Sequence, residues 1–174
     1  DHDSAVLTAG SFRSGSAVDV QFWETTHAAT TTRLIRNFAS DNGVVRFELD
    51  DLIPGLRYAY RVLANDGNRV DLPQSDDLAD ASFQTFELGS QDLTIVIGAC
   101  ARRASNGRVF DAIVGEDADL YLALGDLHYG NLESDDASTH VVEYGRSLSK
   151  PAQASLFSSV PTAYVWDDHD YGPN

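Results

Sequence analysis

Apolar and polar residues alternate strictly in three stretches early in the chain. Val18, Val20 and Phe22 alternate with Asp19, Gln21 and Trp23; Val45, Phe47 and Leu49 alternate with Arg46 and Glu48; Tyr58, Tyr60 and Val62 alternate with Ala59, Arg61 and Leu63. A period of two sends every second side chain to one face, so each stretch predicts a half-buried strand. Shorter runs at Val6 to Phe12, Arg33 to Phe38 and Ser82 to Phe86 bring the expected count to six or seven strands. Ser40-Asp41-Asn42-Gly43 reads as a hairpin turn and Asn65-Asp66-Gly67-Asn68 as a second turn. Residues 1–88 are therefore expected to form a β-sandwich.

The stretch Leu52-Ile53-Pro54-Gly55-Leu56-Arg57-Tyr58-Ala59-Tyr60-Arg61-Val62 sharpens that expectation. It resembles the tyrosine-corner segment of fibronectin type III domains. In that motif a tyrosine at the start of a strand bonds back to backbone a few residues upstream. Such a module could bind a ligand, but no polar cluster converges within it, and a packing module is the simpler reading. His27, within Thr25 to Thr32, reads as a loop histidine.

After a short linker, Glu87 to Asp92, the pattern changes over residues 93–174. Leu93 to Ala99, Leu120 to Leu124 and Thr162 to Trp166 are almost continuously apolar. Unbroken apolar strands are expected where a parallel sheet is covered by helices on both faces. Helical spacing lies between them. Val109, Phe110, Ile113 and Val114 form one stripe, with Ser105 or Asn106 as candidate caps and Gly115 as its stop. Val141, Tyr144 and Leu148 form another, with Asp135, Asp136 or Ser138 near its start. Pro151 can open a third helix reaching Val160, because proline is tolerated at the first helical position. The alternation predicts a βαβαβ unit.

Chemistry gathers where these strands end. The first runs into Cys100, the second into Gly125-Asp126 with His128 and Tyr129 close behind, and the third into Asp167-Asp168-His169-Asp170. In an open parallel sheet the carboxyl ends of the strands lie along one edge, where ligands bind. Adjacent carboxylates repel unless a cation neutralises them. Plainer readings stand beside this one: Cys100 as a small buried hydrophobe, Asp126 as a helix cap, Tyr129 as an aromatic plug, His128 as a surface or supporting residue, and His140 as an ordinary residue of a polar helix face.

Composition narrows the possibilities. With 174 residues, the chain has room for one domain or two small ones, and 43% hydrophobic residues suffice for packed cores. A net charge of −15 argues against nucleic acid and anionic lipid as partners. Aspartate outnumbers glutamate and Lys150 is the sole lysine, which fits either a salt-adapted source or a GC-rich genome. Cys100 is the sole cysteine, so no intrachain disulfide can form. No run approaches the roughly 20 apolar residues of a membrane span. The start Asp1-His2-Asp3 does not read as a signal peptide, which suits a cytoplasmic protein or a mature exported chain. Gly172-Pro173-Asn174 is a turn sequence, and the chain is expected to be truncated or cleaved there.

Taken in order, Gly98-Ala99-Cys100, Val109-Phe110-Asp111-Ala112-Ile113, Leu124-Gly125-Asp126-Leu127-His128-Tyr129 and Val165-Trp166-Asp167-Asp168-His169-Asp170-Tyr171-Gly172-Pro173-Asn174 resemble the alkaline phosphatase D (PhoD-like) family of the calcineurin-like metallophosphoesterase superfamily. The resemblance covers the whole chain, since that family carries a fibronectin-like β domain in front. It implies an exported hydrolase of phosphate mono- and diesters with a dinuclear or larger centre of iron and calcium, other divalent metals being possible. It further implies Cys100 as an iron thiolate, Asp126 as a bridging carboxylate, Tyr129 as an iron phenolate, Asp168 as a ligand and His169 as the catalytic histidine. Asp167 and Asn174 are further candidate ligands. Arg102 and Arg103 are candidate clamps for substrate oxygens.

The superfamily fold has a second βαβ half that supplies several histidine ligands, and residues 1–174 are expected to lack it. The expectation is an N-terminal part of a phosphoesterase, inactive alone and completed by a C-terminal half or a partner chain. The alternative is a non-catalytic calcium-binding or adhesion module that keeps the scaffold. A three-stranded sheet alone is also expected to leave an apolar face and an edge uncovered.

Overall fold

A computed structural model describes residues 2–10, 12–26, 31–64 and 81–172. The second predicted turn, Asn65 to Asn68, and His27 lie outside the described residues. The structure is mostly β-sheet with few helices. It divides into two compact units, one formed by described residues up to Asp92 and one by those from Leu93 onward.

The first unit has two antiparallel sheets. Strands β1 (Ala5–Ala9) and β4 (Val45–Leu49) form one; β3 (Arg33–Phe38), β2 (Ala17–Glu24), β5 (Arg57–Ala64) and β6 (Ala81–Gln84) form the other, in that spatial order. The predicted alternation sets the burial. Val18, Val20 and Phe22 on β2 and Val45, Phe47 and Leu49 on β4 are buried. Asp19 points to the other face of β2, where it is held by its cross-strand neighbour Arg36 through two hydrogen bonds of 2.7 and 2.8 Å. That pairing, with a coulombic contribution from Arg36, keeps the Asp19 carboxyl below its ordinary pKa despite burial.

The turn chemistry at 40–43 reverses the chain as expected, with Gly43 N–H donating to the Ser40 carbonyl at 2.8 Å. It does not make a hairpin: β3 pairs with β2, whereas β4 pairs with β1 in the other sheet. A turn sequence dictates reversal of direction; burial of Val45, Phe47 and Leu49 decides which ladder β4 joins. Strand β1 stops at Ala9, short of the predicted Phe12. There the chain crosses the turn, and Phe12 N–H donates to the Gly43 carbonyl. A side chain on Gly43 would lie 2.4 Å from the Phe12 oxygen.

The tyrosine corner is present in geometry. The Tyr58 hydroxyl accepts a hydrogen bond from Ile53 N–H at 2.9 Å, five residues upstream. Buried Thr85 clasps the same turn, donating to the Ile53 carbonyl at 2.7 Å and accepting from Leu56 N–H at 3.1 Å. This is why β6 ends at Gln84 instead of running to Phe86.

The second unit is a parallel sheet in the order β7 (Ile95–Gly98), β8 (Leu120–Leu124), β9 (Thr162–Val165). Helices α1 (Arg108–Gly115), α2 (Ala137–Leu148) and α3 (Pro151–Ser159) lie between the strands in sequence, and α4 (Asp168–Tyr171) follows β9. Phe110 of α1 and Ala152, Leu156 and Val160 of the α3 region pack with Tyr121 and Ala123 of β8, joined by Val96 and Tyr164. Asp136 caps α2 by accepting from Ser138 N–H, and Pro151 opens α3. Asn106 caps a different helix from the one expected: its side-chain oxygen accepts from Ala152 N–H at 2.8 Å, at the start of α3. Gly107 takes the position before α1.

Burial of the strands on both faces is overturned. Ile95, Ile97, Leu124 and Val165 are exposed, Ile97 at 61%. The Phe110–Leu156 core covers only the face that carries Val96, Tyr121, Ala123 and Tyr164. Side chains alternate along a strand, so cover on one face leaves every second residue bare. The uncovered apolar face expected for three strands alone is what the structure has.

Candidate metal centre

Each strand of the parallel sheet ends in a turn that presents a donor. Gly98 closes β7, where an added Cβ would lie 2.6 Å from the Tyr121 hydroxyl. Cys100 follows with φ 60°. Its N–H donates to the Gly125 carbonyl at 3.2 Å, and Ala101 N–H donates to the Asp126 carbonyl at 3.0 Å, so the two loops stay paired beyond the strands. Gly125 has φ 89°, and a Cβ there would strike that of Asp167 at 2.4 Å. Asp126 comes next with φ 56°. A non-glycine residue in this left-handed region costs roughly 1–2 kcal/mol. Two of them at adjoining strand ends, both bearing donor side chains, mark strain of the kind held at functional sites.

Asp126 is the hub and is 4% exposed. Its Oδ2 accepts from the Tyr129 hydroxyl at 2.9 Å and from the Cys100 thiol at 3.6 Å. Its Oδ1 accepts from His169 N–H at 3.2 Å. Donor atoms of Asp126, Asp168 and His169 lie within 4.8 Å of one another. The Tyr129 phenol is pushed above its ordinary pKa, chiefly by hydrogen bonds with Cys100 and Asp126. Thiol and phenol protons therefore crowd one carboxylate oxygen, where a cation could take their place. Thiolate, phenolate and carboxylate form a donor set that fits a metal ion, with the His169 imidazole beside it.

Asp170 holds this edge together, and the sequence reading assigned it no role. It is 3% exposed. Its carboxylate accepts from the backbone N–H of Asp126 at 2.7 Å, Leu127 at 3.2 Å and Asp167 at 3.1 Å, and from the Tyr144 hydroxyl at 3.3 Å. Burial raises its pKa, but hydrogen bonds from Tyr164 and from those three N–H groups together hold it below the ordinary value. The signal that could have found it is the Asp167-x-x-Asp170 spacing, a capping box around α4. Asp167 is the other half of that box, and its carboxylate accepts from Asp168 N–H at 3.0 Å.

The remaining candidates are distributed as follows. Cys100 is exposed, which removes the buried-hydrophobe reading. His128 is fully buried instead of at the surface. Its ring meets that of Tyr144 edge-on at 4.7 Å, and desolvation lowers its pKa. His140 contacts the Ser134 carbonyl at 3.0 Å. Arg103 is paired with Glu143 through two hydrogen bonds of 2.9 and 2.7 Å, and Arg146 joins the same carboxylate at 2.9 Å. Arg102 is exposed. Asn174 lies outside the described residues.

No family model matches the chain, and no curated protein matches it. Among solved structures it is similar to PhoD, with a TM-score of 0.77 over 96% of this chain at 16% identity. That likeness shows the fold. This chain spans 37% of the PhoD chain. The sensor domain of the anti-sigma factor RsgI4 of Pseudobacteroides cellulosolvens matches at 16% identity over 50% of this chain and 85% of that one. Its TM-score of 0.36 is too low to carry an argument. The chain thus shares its fold with part of PhoD; in this structure the donors of Asp126, Asp168 and His169 lie together.

No helix among the described residues is long and apolar enough to cross a membrane.

Proposed function

We propose that the chain is part of an exported, metal-dependent phosphoesterase acting on phosphate mono- and diesters, built as a fibronectin-like module (residues 1–88) ahead of a metallophosphoesterase unit (residues 93–174). The observation that carries the reading is the convergence of Cys100, Asp126, Tyr129, Asp168 and His169 at the carboxyl ends of three parallel strands. The PhoD-like fold supports it. The corner formed by Tyr58 and Ile53 supports the fibronectin-like assignment.

In this reading Cys100 and Tyr129 hold iron through charged sulfur and oxygen, which suit a ferric ion. Asp126 would be shared with a second ion such as calcium, for which Asp168, Asp167 and Asn174 would offer further oxygen donors. When bound, the ions supply positive charge opposite the phosphate oxygens and make an adjacent water more acidic. Asp126 is fixed for this by three contacts to its carboxylate and by Asp170 beneath its backbone. His169 donates a proton to the leaving oxygen as the ester bond breaks. Arg102 is the freer of the two arginines to approach a substrate oxygen, because Arg103 is engaged by Glu143. The donors described here make one side of a centre. A further segment or partner chain completes the coordination and covers the bare face of Ile95, Ile97, Leu124 and Val165.

The test is elemental analysis of the protein purified from its natural source, paired with hydrolysis of aryl phosphate mono- and diesters. Iron and calcium with turnover are expected. A metal-loaded protein inactive on both esters would sink the enzyme reading. Calcium-dependent thermal stability with neither iron nor turnover would favour the binding-module alternative.

A further inference from the structure

We infer that Asn131 is a positioning residue for His169, a role that rests on the phosphoesterase reading for its chemistry but not for its geometry. The Asn131 side-chain oxygen lies 2.8 Å from His169 Nδ1. An amide oxygen can only accept, so Nδ1 carries a proton and Nε2 is left to exchange one with a substrate. The face of the imidazole lies against the Tyr129 ring, with centroids 4.1 Å apart. The His169 backbone is tied to Asp126 Oδ1. Ring, backbone and Nδ1 are thus each held by a different residue of the β8 end.

A hydrogen bond at the surface orients a ring only if both of its ends are fixed. The loop carrying Asn131 is fixed. His128 is fully buried beneath it. Gly130 N–H donates to His128 Nδ1 at 3.3 Å, and a Cβ on Gly130 would lie 2.9 Å from the Glu143 side chain. Asn131 itself has φ 49°. Asparagine tolerates this left-handed backbone better than most residues, and its side chain is thereby aimed from a set position. The far end of α4 meets the same loop, where Gly172 approaches the Leu132 carbonyl.

Water adds to phosphorus while the bond to the leaving oxygen breaks; the electron pair stays on that oxygen, and the attacking water sheds a proton to solvent. The doubly protonated imidazole gives its Nε2 proton to that oxygen and keeps its Nδ1 proton, which it donates in the hydrogen bond to Asn131 Oδ1. Solvent then reprotonates Nε2. Without Asn131 the ring can turn or adopt the other tautomer, and Nε2 is no longer reliably placed.

Two variants separate this role from that of a turn residue. Asn131→Gly keeps the left-handed backbone and removes the acceptor; Asn131→Asp keeps both. Nitrogen-15 NMR of the metal-free protein, above the ordinary imidazole pKa of about 6.5, should show His169 protonated at Nδ1 in the wild type and in Asn131→Asp. Asn131→Gly should lose that signature with its melting temperature unchanged. With the metal-loaded natural protein, Asn131→Gly should lower kcat about 10- to 100-fold on alkyl phosphate esters, whose leaving oxygen needs the proton. The fall on nitrophenyl esters should be under about 3-fold, KM should hold, and Asn131→Asp should restore the alkyl rate. An unchanged tautomer in Asn131→Gly, or an equal fall on both esters, would overturn the inference. Absence of turnover in the wild type would instead remove the phosphoesterase reading, and the NMR result would still decide whether Asn131 sets the tautomer.

Discussion

In the first unit, β4 reads buried, exposed, buried, exposed, buried, and Val45, Phe47 and Leu49 all find cover. In the second, β7 carries Ile95 and Ile97 to one face and leaves both in solvent, beside Leu124 and Val165. The polar side chains divide the same way. Asp19 and Thr85 in the first unit are buried with partners that tie strand to strand or strand to turn. Asp126 and Asp170 in the second are buried where three loops meet, and they gather groups that can bind something. The first unit also leaves Val6, Leu34, Phe38 and Ile53 exposed, but its buried polar groups serve its own strands and turns. The second has apolar surface bare on one side of its sheet and donors gathered at one edge.

The largest expected effect that would sharpen this contrast is at Asp170. Replacing it by alanine leaves the N–H groups of Asp126, Leu127 and Asp167 without their acceptor. Buried groups of that kind cost about 1–3 kcal/mol each, so the second unit should lose about 3 kcal/mol or more. Hydrogen exchange should rise across β7, β8 and β9 and stay unchanged across β2 and β5; equal loss of protection in both units would break the comparison. Tyr58→Phe is the counterpart in the first unit. It removes the acceptor for Ile53 N–H and should cost about 1–2 kcal/mol, read by denaturant unfolding as a lower midpoint with the slope unchanged.

Acid should weaken both units through different carboxylates. The Arg36 hydrogen bonds depress the Asp19 pKa, and those of Arg103 depress that of Glu143. A depressed folded value means the stabilisation is fully present above the unfolded value of about 4 and is lost as pH falls through the folded one. Asp19→Asn should flatten the acid limb for the first unit alone and Glu143→Gln for the second alone, measured by exchange protection between about pH 5 and pH 2.

The smallest effect should be at the bare face. Ile97→Ser should alter the stability of this chain by no more than about 0.5 kcal/mol, since the side chain is already exposed. It should also reduce self-association in sedimentation experiments. A large loss of stability would mean that the face is covered, and the contrast between the units would fall.

The strands were legible because alternation is local: Val18, Val20 and Phe22 declare their face without reference to anything distant. The tyrosine corner was legible for the same reason, since Tyr58 and Ile53 are five residues apart. The pairing across Ser40 to Gly43 is not legible locally, because a turn specifies reversal and not the strand that receives the chain. Candidate donors were readable as strand endings. Asp170 was overlooked because its spacing from Asp167 signals a cap, while its partners Asp126 and Leu127 lie 44 and 43 residues away. Asn131 left no sequence signal at all.

From the sequence by itself come the strands, the helices, and the residue types that stand at the ends of β7, β8 and β9. All of these follow from periodicity and local turn chemistry, which reach only a few residues along the chain. Tertiary structure alone decided that Cys100 and Tyr129 share one oxygen of Asp126, that Asp170 carries the backbone of the β8 loop, and that Asn131 meets His169 Nδ1. It also decided which face of the parallel sheet is covered. Those contacts join segments tens of residues apart, and they form where packed strands bring distant turns to the same edge.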